Sequence, residues 1–370
     1  MKRPVLACLC LLGLLVLAAC GPRGMGDLLP PRASPPDAGV DAALIRAAAA
    51  EAETLPRMRT MIVARNGKVE FERVVRGPGL DTPVNIKSAS KTVLAAITGA
   101  AIADGVLTGV DQKIAPILGP RVPPEADPRV ADITVGHLLS MQAGLASTSG
   151  ASYGRWAASP DWVAHALSQP MEAEPGGRLI YSTGTSHILS TVLTRASGRS
   201  TLALAREYLG EPLDIDIPPW AADPQGVYMG GNEMSLSPRA LLKIGELYRN
   251  GGVHDGRRVL PAQWIEDSWK PGGRSMWTGA PYGYGWWLKR SNGHDVWFAW
   301  GYGGQMIFVV PDLALTVVMT SDPSPRGRDG HVSGLHRLLD QYIVPAARQG
   351  AGHATATAAS SRSDRSGRPG

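Results

Sequence analysis

The sequence predicts an α+β fold: one antiparallel β-sheet flanked by N- and C-terminal helices, with an all-helical lobe inserted between its strands. Three observations carry this. Strand patterns sit at both ends of the chain, a long stretch between them shows helical periodicity with helix stop signals, and helical segments lie outside the strands at each terminus. The chain has 370 residues, 44% hydrophobic and 19% charged, enough for one large domain or two modest ones.

The elements follow in order. Val40 to Thr54 is Ala-rich and helical in pattern. Met58 to Ala64 and Val69 to Val75 read as strands around Asn66-Gly67, the strongest short hairpin signal because both turn residues need positive φ. Ser88 to Asp104 reads as a helix closed by Gly105, Thr134 to Met141 as a shorter one ended at Gly144, and Ser182 to Ala196 as a third with Gly198 past its end. Ser237-Pro238 starts a fourth, with an N-cap and a proline at the first helical position, and Gly251-Gly252 stops it. Strand character returns at Tyr284 to Lys289, Val296 to Trp300, Met306 to Val310 and Leu315 to Thr320, with Pro311-Asp312 as a turn; a closing helix spans Val332 to Ala346. The core domain is expected over 38–346, with the helical lobe over about 88–270 and the cleft between sheet and lobe as the place for a pocket.

The termini read differently. Met1-Lys2-Arg3, the apolar run Val5 to Leu17 and then Leu17-Ala18-Ala19-Cys20 form an export signal over 1–19. Leu17 fits ordinary leader cleavage badly, whereas the tetrapeptide resembles a bacterial lipobox with Cys20 as the lipidated residue; a plain secreted protein is the alternative. Residues 20–37 are then a flexible tether and 347–370 a disordered tail. The implied location is the cell envelope, lipid-anchored to a membrane, on the periplasmic face of the outer membrane in a Gram-negative cell. Cys8 and Cys10 leave with the signal and Cys20 is acylated, so the mature domain has no thiol for a disulfide, a metal or a nucleophile. A net charge of +5, spread without a basic helix or aromatic stripe, argues against nucleic-acid binding. No H-x-x-x-H or H-E-x-x-H pattern occurs among eight histidines, with His331 and His336 five apart, so no metal site is expected; nor is a cofactor.

The chemistry begins at Ser88-Ala89-Ser90-Lys91. Positions i and i+3 share a helix face, so the Lys91 amine reaches the Ser88 hydroxyl, at a helix N-terminus that favours developing negative charge. The plain reading is Ser88 as an N-cap and Lys91 as solvated surface. Tyr181 follows Pro175-Gly176 and an extended run and precedes a helix; beside Lys91 its phenolate is a competent base, and otherwise it is a packed aromatic. Gly150-Ala151-Ser152-Tyr153-Gly154 matches the nucleophile-elbow pattern but lacks the apolar strand before it and the long helix after it, so a loop describes it better. Trp286, Trp287, Trp297 and Trp300 are divided by alternation between core and cleft, and Asn232 lies in a Gly-rich loop as a substrate contact or a turn residue.

Four motifs in order resemble the serine beta-lactamase superfamily over about residues 57–345, in particular the class C-related group with its esterases, D-alanyl-D-alanine peptidases and 6-aminohexanoate-dimer hydrolase. They are Ser88-x-x-Lys91; Ile133 to Met141 with Gly144-Leu145; Pro175-Gly176 leading to Tyr181-Ser182-Thr183-Gly184; and Gly301 to Gln305 followed by Phe308 to Pro311. The resemblance implies a beta-lactamase/transpeptidase-like fold and Ser88 as nucleophile. It implies Lys91 and Tyr181 as the proton-transfer pair, with Tyr181, supported by Lys91, taking the serine proton. The N–H groups of Ser88 and of Tyr302, on an edge strand, become the oxyanion hole, and Thr183, Trp300 and Gly301 contact substrate. Two departures matter: Thr183 replaces an asparagine, and Ala299-Trp300-Gly301 replaces Lys-Thr-Gly or His-Thr-Gly, removing the cation that attracts a substrate carboxylate. Hydrolysis of a small-molecule ester or amide lacking that carboxylate is therefore expected, most like the 6-aminohexanoate-dimer hydrolase branch. The alternatives are a non-catalytic envelope-binding lipoprotein on the same fold, or a beta-lactamase or D-Ala-D-Ala carboxypeptidase.

Overall fold

The computed structural model describes residues 39–324 and 329–349; the leader, Cys20, the tether up to residue 38 and the tail from 350 lie outside the described residues. Helix α1 (Ala42–Thr54) is N-capped by Asp41, whose carboxylate accepts from the Leu44 N–H at 2.8 Å. Strands β1 (Met58–Arg65) and β2 (Lys68–Val74) follow, joined at Asn66 (φ 51°) and Gly67 (φ 81°), the two left-handed positions that the Asn-Gly signal supplies. Helices α2 (Ser90–Ala103), α3 (Val135–Leu139), α4 (Thr183–Ser197) and α5 (Pro238–Arg249) come next. The sheet resumes with β3 (Gly273–Arg274), β4 (Pro281–Tyr282), β5 (Trp287–Ser291), β6 (His294–Gly301), β7 (Gln305–Val310) and β8 (Leu315–Ser321), and α6 (His331–Leu338) closes the fold.

These eight strands form one antiparallel sheet in the order β2-β1-β8-β7-β6-β5-β4-β3. Its centre joins the two ends of the chain, with Met61 opposite Met319 and Val63 opposite Val317. Both faces are covered, so every position of β7 and β8 is buried and alternation separates two cores rather than core from solvent. Ile62, Ala64, Ala299, Ile307 and Val309 face the lobe with α2, α4 and α5. Met61, Val63, Phe298, Met306 and Phe308 face the terminal helices, with Ala48, Ala52, Leu335 and Leu338. Helix α2 is apolar all round and buried from Ser90 to Ala101, the profile of a central core helix.

Several boundaries differ from expectation for local reasons. The strand expected from Tyr284 starts at Trp287, because Gly283 to Trp286 form a turn closed by the Gly283 N–H on the Trp286 carbonyl at 2.8 Å. The two-residue strands β3 and β4 are too short for any periodicity to announce them. The last helix widens into a π-helical turn at Leu339–Ile343 and runs on through Gln349, with Ala347 fully buried, three residues past its expected end at Ala346. A further antiparallel pair, Val84–Asn85 with Ser235–Leu236, ties the segment before Ser88 to the segment after Asn232.

Candidate active site

Ser88 occupies a 3-10 turn, Lys87–Ala89, that runs straight into α2. Lys87 is held at φ +50°, left-handed and costly for a side-chain-bearing residue, and its neighbours over-determine it. Its N–H donates to Asn85 Oδ1 at 2.9 Å, its ammonium pairs with Glu233 at 3.0 Å, and the Asn85 amide donates to the other Glu233 oxygen at 2.6 Å. Glu233 is itself left-handed, at φ +64°. The Ser90 hydroxyl donates to the Lys87 carbonyl at 2.6 Å, completing a rigid step into the helix.

One turn on, Lys91 is only 4% exposed. Its Nζ lies 3.2 Å from Ser88 Oγ, 2.8 Å from the Gly231 carbonyl and 3.4 Å from Thr183 Oγ1, and 4.8 Å above the Tyr181 ring centroid. Gly231 (φ +74°) approaches so closely that a Cβ there would lie 2.6 Å from Lys91 Cγ. No carboxylate accompanies the amine in these contacts, and burial pulls its pKa down to about 7. Burial pushes the Tyr181 phenol up to about 12, against a smaller opposing effect of the neighbouring Ser88 hydroxyl. The Tyr181 ring packs at 5.6 Å on Trp287 and edge-on at 6.0 Å to Tyr282. At neutral pH the arrangement therefore holds an amine that is close to half deprotonated and a phenol that keeps its proton. A Tyr181 phenolate, the expected base, is disfavoured by this environment: the ring is desolvated, and the lysine beside it carries only about half of its charge at neutral pH.

Thr183, expected at the substrate, is buried at 3% exposure with its hydroxyl between Lys91 and Ser149 Oγ, 3.0 Å from the latter. Residues 147–149 form a clamp that sequence reasoning missed. The Ser147 hydroxyl donates to the Tyr181 carbonyl at 2.7 Å, Thr148 Oγ1 accepts from the Gly184 N–H at 2.8 Å, and Ser149 Oγ accepts from the Thr183 N–H at 2.9 Å. The first N–H groups of α4 are thus capped from another loop, and a short polar Ser-Thr-Ser run carries no local sign of that role. Residues Gly150 to Gly154 form a 3-10 turn and the start of a five-residue helix, Tyr153–Ala157, with no strand before them, as the loop reading requires.

The opposite wall comes from β6. Its ladder with β5 ends at Phe298 opposite Trp287, so Ala299 to Gly301 run on beyond β5. A Cβ on Gly301 would sit 2.1 Å from the Ile86 carbonyl, so only glycine lets this strand end pass against the segment leading into Ser88. Tyr302 opens the hairpin turn immediately beyond, one residue past the strand on which it was expected, with its side chain 57% exposed. Trp300 is half-buried with its indole Nε1 buried and unpartnered, 6.3 Å from Trp287, while Trp286 and Trp297 belong to the lobe-side core. Ala299, at the position of the missing cation, is fully buried. Asn232, next to Gly231, donates to the Tyr153 hydroxyl at 3.0 Å and leaves Oδ1 buried without a partner. The structure thus gathers Ser88, Lys91, Tyr181, Thr183 and the Gly231-Asn232 segment, with Gly301 against the approach to Ser88. His331 and His336 are engaged separately, His331 with Ser321 Oγ at 2.8 Å and His336 against Phe298 and Phe308.

A family model described as Beta-lactamase matches residues 60–339, three quarters of the chain and nearly all of the sheet and lobe just described. The chain belongs to the beta-lactamase family. Within this family of serine hydrolases, a 6-aminohexanoate-dimer hydrolase from Paenarthrobacter ureafaciens is 26% identical over 180 residues, covering 44% of this chain and 44% of that protein. The chain therefore spans less than half the length of that relative. Among solved structures, a candidate beta-lactamase from Bacteroides dorei superposes with a TM-score of 0.68 at 18% identity, covering 84% of this chain and 99% of the other. A hydrolase with promiscuous acyltransferase activity gives 0.66 at 18% identity over 83% and 98%. A D-stereospecific amidohydrolase from a Streptomyces species gives 0.63 at 18% identity over 79% and 97%. At these identities the structural likeness concerns the beta-lactamase fold.

Proposed function

We propose that this beta-lactamase-family protein cleaves a small ester or amide through an acyl-enzyme on Ser88, with Lys91 as the base. The observation that carries the reading is the donor and acceptor balance at Lys91 Nζ. A neutral amine has two N–H donors and one lone pair. The Gly231 carbonyl and Thr183 Oγ1 take the donors, which leaves the lone pair for the Ser88 hydroxyl at 3.2 Å.

Ser88 Oγ attacks the substrate carbonyl carbon while its proton passes to Lys91 Nζ, and the N–H groups of Ser88 and Tyr302 hold the oxyanion. Collapse expels the alcohol or amine, which takes its proton from Lys91 through the Tyr181 hydroxyl, leaving Ser88 acylated. Water then adds to the acyl carbon, gives its proton back along the same route, and the carboxylic acid leaves with Ser88 restored. The buried Ala299 supports a substrate without a carboxylate beside the scissile bond, and the relationship to a hydrolase of a linear amide dimer points the same way. Thr183 and Asn232 act by setting Lys91 and by offering Asn232 Oδ1, with Trp300 and Gly301 lining the β6 wall. The leader pattern and the lipobox-like Leu17 to Cys20 support an envelope location with Cys20 as the anchor; Cys20→Ser is expected to move the protein from the membrane to the soluble fraction.

A fluorophosphonate probe is expected to label the purified protein on Ser88, and Ser88→Ala to abolish the label. Short acyl esters, linear amides and nitrocefin assayed side by side are expected to rank esters and amides above nitrocefin. An unlabelled wild type, or nitrocefin as the best substrate, overturns the reading.

A further inference from the structure

His187 is buried, and its ring has two hydrogen-bond partners, neither of them Ser88 or Lys91. It lies on α4 four residues after Thr183, hence on the same helix face. Its side chain and that of Asp223 are both completely buried. The ring stands edge-on to Trp156 and Trp162, with centroids at 5.8 and 5.3 Å. Nδ1 accepts the Gly230 N–H at 3.3 Å, so the ring proton sits on Nε2 and is donated to Asp223 Oδ2 at 3.0 Å. Asp223 Oδ1 is occupied by two backbone donors, the N–H groups of Gln225 at 2.9 Å and Val227 at 2.8 Å. One tautomer is thereby imposed, and it is the one that pins Gly230. The next residue, Gly231, covers the Lys91 stem and supplies the 2.8 Å carbonyl contact to its Nζ.

We propose that His187, locked in one tautomer by Asp223, is a positioning residue for the base of the reaction. It staples the Gly230-Gly231 segment to α4, so that the Gly231 carbonyl orients Lys91 Nζ toward Ser88 and the segment keeps water from the amine. The proposal rests on the serine-hydrolase reading above. Helix α4 then reaches Lys91 twice, directly through Thr183 and one turn later through His187 and the glycine segment. The titratable neighbours facing Lys91 are few: Tyr181 below the amine, with Lys87 and Glu233 beyond it paired to one another. Loosening the segment hydrates the ammonium, and its pKa climbs back toward that of a free lysine.

Asp223→Asn is the discriminating variant. The amide must keep its oxygen on the Gln225 and Val227 N–H groups, so its NH2 faces His187 Nε2, the ring proton moves to Nδ1, and two donors confront each other at Gly230. Fluorophosphonate labelling of Ser88 is measured across pH for the wild type, Asp223→Asn and the double variant Asp223→Asn/His187→Asn, in which the new side-chain oxygen again accepts from Gly230. Nitrogen NMR of the imidazole and thermal melting are recorded alongside. Asp223→Asn is expected to report the Nδ1–H tautomer, to raise the labelling midpoint by about one pH unit, and so to slow labelling roughly tenfold below pH 7. The double variant is expected to return to within about threefold of wild type. If Asp223→Asn does not fold, His187→Asn, which keeps the Gly230 acceptor, must outperform His187→Gln, which keeps only the Asp223 donor. A wild-type labelling profile in folded Asp223→Asn, or a double variant as slow as the single, overturns the positioning role. A wild type that takes no label at any pH instead removes the serine-hydrolase reading on which it rests.

Discussion

Lys91→Met is expected to make this protein more stable and wholly inactive at the same time. With its pKa lowered from 10.5 to about 7, Lys91 is a buried amine that the unfolded chain prefers to protonate. The folded state binds fewer protons than the unfolded one between those two values, so stability falls as pH drops through that window and levels off below about 7. At pH 7 the difference of about three units corresponds to about 4 kcal/mol against the folded state. Methionine fills nearly the same volume with no charge to desolvate. It leaves the Gly231 carbonyl and the Thr183 hydroxyl without their amine partner, at a cost of about 1 kcal/mol each. The net expectation is a gain of about 2 kcal/mol at pH 7. The same variant has no lone pair to take the Ser88 proton, so fluorophosphonate labelling should fall to background. Urea unfolding of wild type and Lys91→Met at pH 7 and at about pH 10 measures the effect: at the higher pH the folded amine is neutral and the remaining penalty, about 1 kcal/mol, is smaller than the cost of the lost hydrogen bonds, so the gain should vanish or reverse. A Lys91→Met protein less stable than wild type at pH 7, or one that still labels at Ser88, would refute the reasoning.

Other consequences are simpler to test. Labelling of the wild type should rise roughly tenfold per pH unit up to about pH 7 and then level, with no second rise before the Tyr181 phenol titrates near 12; a profile still climbing tenfold per unit at about pH 9 would show an ordinary lysine. Gly301→Ala drives a methyl group into the Ile86 carbonyl and should cost about 3 kcal/mol of stability together with most of the labelling, whereas a variant with wild-type melting and labelling would show that the β6 end can move aside. Glu233→Gln removes the partner of Lys87 in a strained turn; labelling should drop while urea stability changes by about 1 kcal/mol or less, because the pair is partly exposed. Ser149→Ala leaves the Thr183 N–H without its acceptor and should lower stability by about 1 kcal/mol.

What the chain discloses locally, it discloses well. Asn66-Gly67 marks its turn, Ser237-Pro238 starts its helix with the Ser237 hydroxyl accepting from the Ala240 N–H at 3.1 Å, and the apolar runs of β7 and β8 lie where their composition puts them. Ser88 and Lys91 are legible because a helix brings i and i+3 together whatever surrounds them. The features that escape are non-local. The clamp of Ser147 to Ser149 acts on residues some 34 positions later, and the Lys87–Glu233 pair spans 146. Neither leaves a spacing that periodicity can detect. The division of labour between Lys91 and Tyr181 escapes for a different reason: residue type names two candidate bases, but which one loses its proton at neutral pH is decided by desolvation, a property of the finished tertiary structure.

The pairing of β1 with β8 imposes an order on how this protein is made. Residues 58–65 emerge early in synthesis, yet their partner strand, residues 315–321, appears only after the entire lobe has been translated. Until then the early hairpin β1–β2 shows an unpaired edge, and the lobe, although it already carries Ser88, Lys91 and Tyr181, has no floor to pack against. Closing a loop of some 250 residues is an entropic step with no local reward, so folding should be slow and late, with most of the ribosome's work finished before the sheet can close. A chain cut between residues 182 and 315 would thus keep Ser88, Lys91 and Tyr181 yet lack the strand that closes the sheet beneath them, which makes the C-terminal strand the quality-control point of the fold.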